Sequence, residues 1–181
     1  MKILVTGGTG FVGSHIIDAL EKKYSPRDLI MFVRNREKAI ERLNRGLTIV
    51  EGDVTIFEEV RKVVQGFQPK VVVHAAALAN DWAPLEELMQ VNAKGTLNIV
   101  NAMEKVSDSF LVYISSSGVY PRVEGMYINE ETNYGPIGNY QWSKVEAEKY
   151  VRKAIDNRKI RGSIIRPPNA VSYTHLRAHE T

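Results

Sequence analysis

Cysteine is absent from the 181 residues, so neither a disulfide framework nor a thiolate metal site can form. That absence fits a reducing compartment, and a cytoplasmic location is expected. Long hydrophobic runs are also lacking. The longest, Val71–Ala79, is broken by His74 and is far too short to span a bilayer, so no membrane association is expected. The first residues show no basic stretch, long apolar segment and small-residue cleavage site of the kind a secretory leader needs. Charge of one sign is scarce: 24 Lys and Arg stand against 21 Asp and Glu, a net of +3 that gives no argument for a nucleic-acid partner. No internal repeat or low-complexity segment interrupts the pattern. With 44% hydrophobic residues, the chain is long enough for one domain with a genuine core.

Strand-like and helix-like segments alternate. Apolar runs at Lys2–Thr6, Asp28–Val33, Leu47–Glu51, Lys70–His74, Phe110–Ser115 and Ile160–Arg166 read as six strands. Between them, Val12, Ile16, Ala19 and Leu20 recur at helical spacing, and Arg36–Leu43 reads as a short helix. Thr55 and Glu58 have the spacing of a capping box opening a helix that ends near Gly66. Leu88, Asn92, Gly95, Ile99 and Ala102 share one face of a helix after Pro84. Residues 117–138, rich in Gly and Pro, read as a long loop, after which Asn139 is placed to cap a helix reaching about Asn157. This alternation predicts an α/β fold, a doubly wound parallel sheet of the Rossmann kind.

The chemistry begins at TGGTGFVG, Thr6–Gly13, between the first strand and the first helix. Gly7 permits a tight turn, Gly10 lets backbone approach a pyrophosphate, and Gly13 lets helix pack on strand. The helix N-terminus then offers free N–H groups to phosphate. Where an NAD site usually places Asp or Glu after the second strand, this chain has Arg34, followed by Asn35 and Arg36. A guanidinium can bind a 2′-phosphate bidentately, so NADP is the expected cofactor, with NAD as the alternative. The bland alternative is a solvated basic loop. Asp53, in GDV, is placed either to reach the adenine or to cap the following turn. Tyr140 and Lys144 stand at i, i+4 on a predicted helix and so share a face, where a cation would favour the phenolate of Tyr140.

In this order TGGTGFVG, GDV at Gly52–Val54, HAAA at His74–Ala77, VNAKGT at Val91–Thr96, SSSGVY at Ser115–Tyr120, YQWSK at Tyr140–Lys144 and RPPN at Arg166–Asn169 resemble the extended short-chain dehydrogenase/reductase family, its epimerase/dehydratase branch. The resemblance covers residues 1–170 and implies a nicotinamide-dependent oxidoreductase. It implies cofactor contacts at Gly7, Thr9, Gly10, Phe11, Val12, Gly13, Arg34, Asp53, Val54, Ala75, Ala76, Lys144 and Pro167. It also implies a catalytic set of Ser116, Tyr140, Lys144 and Asn92, the last in a structural role near the site. Tyr140 would be the general acid or base, Lys144 would lower its pKa and bind the nicotinamide ribose, and Ser116 would hold the substrate oxygen. Ser117 is the rival serine, one residue on. His74 is expected to be a satisfied strand-end residue rather than a catalyst.

Sugar dehydratases of this branch carry an Asp-Glu pair where this chain has Ser117 and Gly118, which argues against water elimination. That leaves an epimerase or a simple reductase, and Arg34 makes an NADPH-linked reductase the expectation, with a nucleotide-sugar epimerase as the alternative. A different class, a non-catalytic dinucleotide-sensing or regulatory protein, is opposed by the retention of both Tyr140 and Lys144; an inactive fragment is a further alternative, and this chain alone is expected to have little activity. Expected partners are a small-molecule substrate and, for the full-length protein, a second copy in a homodimer. The last eleven residues, Val171–Thr181, read as a translated sequencing adapter, so 1–170 is expected to be an incomplete dinucleotide-binding domain without its substrate domain. His175 and His179 stand at i, i+4 but lack further ligands, so no metal site is expected.

Overall fold

The computed structural model describes residues 1–125 and 127–168. The expected boundary at residue 170 and the expectations about Val171–Thr181 lie outside these residues.

The six expected strands all form: β1 (Ile3–Thr6), β2 (Leu29–Val33), β3 (Thr48–Glu51), β4 (Val71–His74), β5 (Phe110–Ile114) and β6 (Arg161–Ile165). Every pairing is parallel, in the order β3-β2-β1-β4-β5-β6. Parallel neighbours need crossover helices on the sheet's faces, which is why the strands are nearly continuous apolar runs. Alternate residues feed two cores. Leu4, Ile30, Val72 and Leu111 pack under α3 (Phe57–Phe67), α5 (Gly95–Met103) and α6 (Asn139–Asp156). Ile3, Val5, Met31 and Val73 face the other way, toward Ile17 of α1 (Phe11–Glu21) and the stretch around Ala39 before α2 (Ile40–Asn44). On that second face the β5–β6 end is thinly covered among the described residues: Val112 and Ile114 are half-buried and Ile165 is 46% exposed.

Several local expectations are corrected. The buried face of α1 is Gly13 and Ile17, and Ala19 is exposed, because the helix starts at Phe11 and is rotated to bring Gly13 onto β1. The Thr55–Glu58 capping box does not form. α3 begins two residues later, at Phe57, and Glu59 instead reaches back to accept from the Asp53 amide at 2.7 Å. Asn139 does not cap α6; Gly138 occupies that position and Asn139 is the first helical residue.

The helix after Pro84 contains an unexpected π-helical stretch. α4 (Leu85–Leu88) passes through π-helical Met89–Lys94 into α5, while the expected face of Leu88, Asn92, Gly95, Ile99 and Ala102 is buried. Such insertions gather at functional sites, and this one carries Asn92. No described helix is long and apolar enough to cross a membrane.

Candidate active site

Strand order reverses between β1 and β4, the place where open parallel sheets bind ligands beyond their carboxyl ends. Thr6 and His74 pair there in register, and the chain leaves both strands into loops that wall a cleft. Gly7 has φ +71°, and a Cβ on it would lie 2.5 Å from the Ala76 amide nitrogen. A Cβ on Gly13 would lie 2.1 Å from the Gly7 carbonyl oxygen. Only bare backbone fits this turn, and α1 can come close enough to point its first amides along it. Gly10 caps α1 without a side chain, and no acidic residue occupies the first helical turn. Those amides are left for an anion.

The cleft has two compartments that share Gly7, Gly10, Ala75 and Ala77. The first, of about 530 Å³, is lined further by Thr9, Arg34, Lys38, Gly52, Val54 and Ala76. The second, of about 500 Å³, adds Phe11, Val12, Gly13, Ser116, Tyr140, Lys144 and Pro167. Most of the expected site residues thus converge on one cleft from seven separated stretches of sequence.

Asp53 is placed as a turn residue: its carboxylate accepts from the Thr55 amide at 2.8 Å, while its neighbours Gly52 and Val54 form the wall. Val54 is held by Asn98, whose amide donates to the Val54 carbonyl at 2.9 Å. Arg34 follows β2 directly and reaches the first compartment with Lys38. Arg36 is turned to a structural task, its guanidinium donating to the Ile49 carbonyl at 3.2 Å.

In the second compartment Ser116 lines the cleft, and its hydroxyl accepts from the Gly118 amide at 3.1 Å. Ser117 opens a short 3-10 turn, its amide donating to the Pro167 carbonyl at 2.9 Å, which fixes Pro167 at the cleft edge. Tyr140 and Lys144 share the inward face of α6, as their spacing demands. The expected effect of Lys144 on Tyr140 is not what this structure shows. Burial and then the Asp81 carboxylate push the Tyr140 phenol above its ordinary value. Lys144 is 2% exposed, donates to the Ile114 carbonyl at 2.8 Å and lies 4.4 Å from the centre of the Tyr113 ring. Burial pulls its pKa down to about 7.

Beneath the cleft, a chain of hydrogen bonds fixes the loops. The Ala76 amide donates to the Thr6 hydroxyl at 3.2 Å, and Thr6 Oγ1 is 2.6 Å from His74 Nδ1. His74 Nε2 is 3.0 Å from Thr96 Oγ1, which donates to the Asn92 carbonyl at 2.6 Å. Because Thr96 spends its proton on Asn92, His74 donates from Nε2 and accepts from Thr6 at Nδ1, as a neutral imidazole. Burial, and then the Lys144 charge, lower its pKa to about 3. The expectation of a satisfied strand-end histidine matches this geometry.

Asn92 is 1% exposed, and its amide is spent away from the cleft. It accepts from the Leu78 amide at 2.7 Å, donates to the Leu78 carbonyl at 3.1 Å and donates to Ser143 Oγ at 2.8 Å. Ser143 in turn donates to the Tyr140 carbonyl at 2.6 Å. Asn92 therefore positions the β4–α4 loop against the first turn of α6. Ser143 escaped the sequence reading although it stands directly before Lys144. So did Asp81, which joins Tyr140 on the cleft wall, and the buried pair of Glu148 with Arg166. Among the described residues no cluster suited to a metal ion occurs.

The NAD dependent epimerase/dehydratase family model matches residues 3–181. This chain belongs to that family. It is 35% identical over 173 residues to 3 beta-hydroxysteroid dehydrogenase type 7 of Mus musculus, a match covering 89% of this chain and 46% of that protein. It is 31% identical over 155 residues to a putative UDP-glucose 4-epimerase of Methanocaldococcus jannaschii, covering 83% of this chain and 50% of that one. Among solved structures, the UDP-glucose 4-epimerase of Thermus thermophilus in complex with NAD superposes with a TM-score of 0.80 at 28% identity, over 92% of this chain and 54% of that one. The family's relatives named here are enzymes. The chain spans about half the length of the curated relatives it matches.

Proposed function

We propose that the full-length protein is a nicotinamide-dependent oxidoreductase that interconverts an alcohol and a carbonyl, and that its physiological direction is NADPH-linked reduction. The observation that carries this reading is the convergence of Ser116, Tyr140 and Lys144 on the wall of the same cleft as the Gly7–Gly13 turn. A dinucleotide fits the residues present. The turn excludes a Cβ at Gly7 and at Gly13, α1 leaves its first amides free, and Arg34 and Lys38 rim the first compartment. Gly7, Gly10 and Gly13 would hold the pyrophosphate, Val54, Ala75 and Ala76 the adenosine half, and Lys144 with Pro167 the nicotinamide half. Bound there, the cofactor supplies a hydride donor or acceptor.

This chain's own residues supply the proton. Tyr140 carries a phenol proton at the cleft wall and is the group placed to donate it to a carbonyl oxygen as that oxygen gains charge, although burial and then Asp81 make it a weaker acid than an ordinary phenol. Ser116 is placed to hold the same oxygen, and Lys144 brings positive charge to the cleft. The thinly covered face of β5 and β6 is consistent with further chain completing the substrate pocket of the full-length protein.

Cofactor choice rests on Arg34 and Lys38, since a 2′-phosphate gains from guanidinium and ammonium alike. A fluorescence titration of the full-length protein should show tighter NADPH than NADH binding, with Arg34→Asp reversing the order; equal affinities in the wild type would defeat this part. Tyr140→Phe should lower kcat at least ~100-fold on any substrate the full-length protein turns over, with cofactor affinity nearly unchanged. Retained turnover would refute the assignment. A second reading, nucleotide-sugar epimerisation, is favoured by the likeness to the NAD-bound T. thermophilus epimerase. Tight retention of NAD through purification would support it over the reductase.

A further inference from the structure

Lys144 presents a physical problem that its cleft contacts do not solve. Its ammonium is buried, and its two close partners, the Ile114 carbonyl and the Tyr113 ring, carry no net negative charge. No carboxylate of the described residues lies within 4.0 Å of it. A buried cation without a counter-charge gives up its proton. The groups facing it are few. β4 contributes neutral His74, β5 contributes Tyr113, and α6 contributes Tyr140 one turn before and Glu148 one turn after. Asp81, on the β4–α4 loop, acts on Tyr140.

Glu148 is fully buried, an unusual place for a carboxylate, and it is heavily bonded. Arg166 grips it with Nε at 2.9 Å and Nη2 at 2.6 Å, and the Tyr134 hydroxyl donates at 2.8 Å. Arg152 approaches to 3.8 Å. Arg166 also donates to the Tyr120 hydroxyl and stacks 4.6 Å from that ring's centre. Burial pushes the carboxyl up, but Arg166, Ser115 and Tyr134 outweigh it and hold the group below its ordinary range.

We propose that Glu148 is a positioning residue for Lys144: clamped by Arg166 and Tyr134 one helical turn beyond it on the same face of α6, its buried carboxylate supplies negative charge that favours the ammonium form of the Lys144 side chain against the effect of burial. The catalytic value of that charge rests on the oxidoreductase reading above. Glu148 is also the charge that raises the proton affinity of Lys144 against the effect of burial. Arg166 directly precedes the cleft residues Pro167 and Pro168, and Tyr120 and Tyr134 come from the loop before α6. The same clamp therefore joins the exit of β6, that loop and the catalytic helix.

The test is a pH titration of the Lys144 side-chain nitrogen by NMR on the 181-residue chain without cofactor, with the resonance assigned through Lys144→Arg. Glu148→Gln should lower the midpoint by about one pH unit, whereas Arg166→Met should leave it in place or raise it. A purely structural staple would shift both variants in the same direction, and that result overturns the proposal. Glu148→Gln leaves a buried guanidinium unpaired and is liable to unfold. The double variant Glu148→Gln/Arg166→Met removes both charges and should bring the midpoint below that of Arg166→Met alone, and a midpoint equal to that of Arg166→Met overturns the proposal equally. Retained turnover in Tyr140→Phe would remove the functional reading without altering these midpoints, so the two failures are distinguishable.

Discussion

At the β1 end of the cleft the walls are backbone and small side chains: the Gly7–Gly13 turn, Ala75, Ala76 and Val54. At the α6 end they are polar side chains, Ser116 and Tyr140 half-buried and Lys144 buried, standing over a layer of buried polar groups. Among the described residues, Thr6 is the one buried polar residue before residue 74; His74, Asn92, Thr96, Ser143, Lys144 and Glu148 all belong to the later part of the chain. The first end recognises by shape and by fixed amides, so its tolerance is set by steric room. The second works through buried protons and charges, so its behaviour depends on pH and on complete hydrogen bonding.

The sharpest way to break the first end is one methyl group. Gly13→Ala places a Cβ against the Gly7 carbonyl, which is backbone and cannot swing aside. A loss of about 3 kcal/mol in stability and a collapse of cofactor binding are expected, to the same extent in mildly acidic and mildly alkaline buffer. Calorimetry with a cofactor titration checks this; normal binding would show that the turn is not the cradle described.

The second end should answer to pH. Lys144 has its proton affinity lowered from 10.5 to about 7, so between those values the unfolded chain holds a proton that the folded chain gives up. Stability from this group is full above 10.5, falls as pH drops and is fully lost below about 7. Lys144→Met should therefore raise the melting temperature below about pH 7 and lose that advantage toward pH 10.5, while sacrificing function. His74, lowered from 6.5 to about 3, adds a stability loss of the same sense as pH falls between those values. A Lys144→Met gain independent of pH would mean that burial of the charge is not its source.

The mildest test returns to glycine. Gly66, near the end of α3, would place a Cβ in open space. Gly66→Ala should stabilise by about 0.5–1 kcal/mol, since only helix propensity and unfolded-state entropy change. Destabilisation would contradict the steric distinction drawn from Gly13.

What was legible in advance follows the same division. TGGTGFVG could be read because a phosphate turn needs glycine at fixed offsets beside a strand and a helix, all within a short stretch. Tyr140 and Lys144 could be read because four-residue spacing on a helix fixes a shared face. The capping sites at Thr55 and Asn139 were misplaced because several nearby residues can satisfy a helix start, and packing chooses among them. Ser143, Asp81, Glu148 and Arg166 stayed hidden because their partners lie far along the chain. Ser143 meets Asn92 from 51 residues away, and Arg166 meets Glu148 from 18.

By itself, then, the sequence determined the alternation of strands and helices, the parallel sheet, the glycine turn and the Tyr140–Lys144 face, all set by local periodicity and backbone sterics. Only the tertiary structure decided that Ser116 lines the cleft with Ser115 while Ser117 does not, that Asn92 binds Leu78 and Ser143 rather than the cleft, that His74 is neutral, and that Lys144 lies buried between Tyr113 and the Glu148 clamp. The reason is that proton affinity and hydrogen-bond partnership depend on burial and on groups from distant strands, and neither exists until the sheet has brought them together.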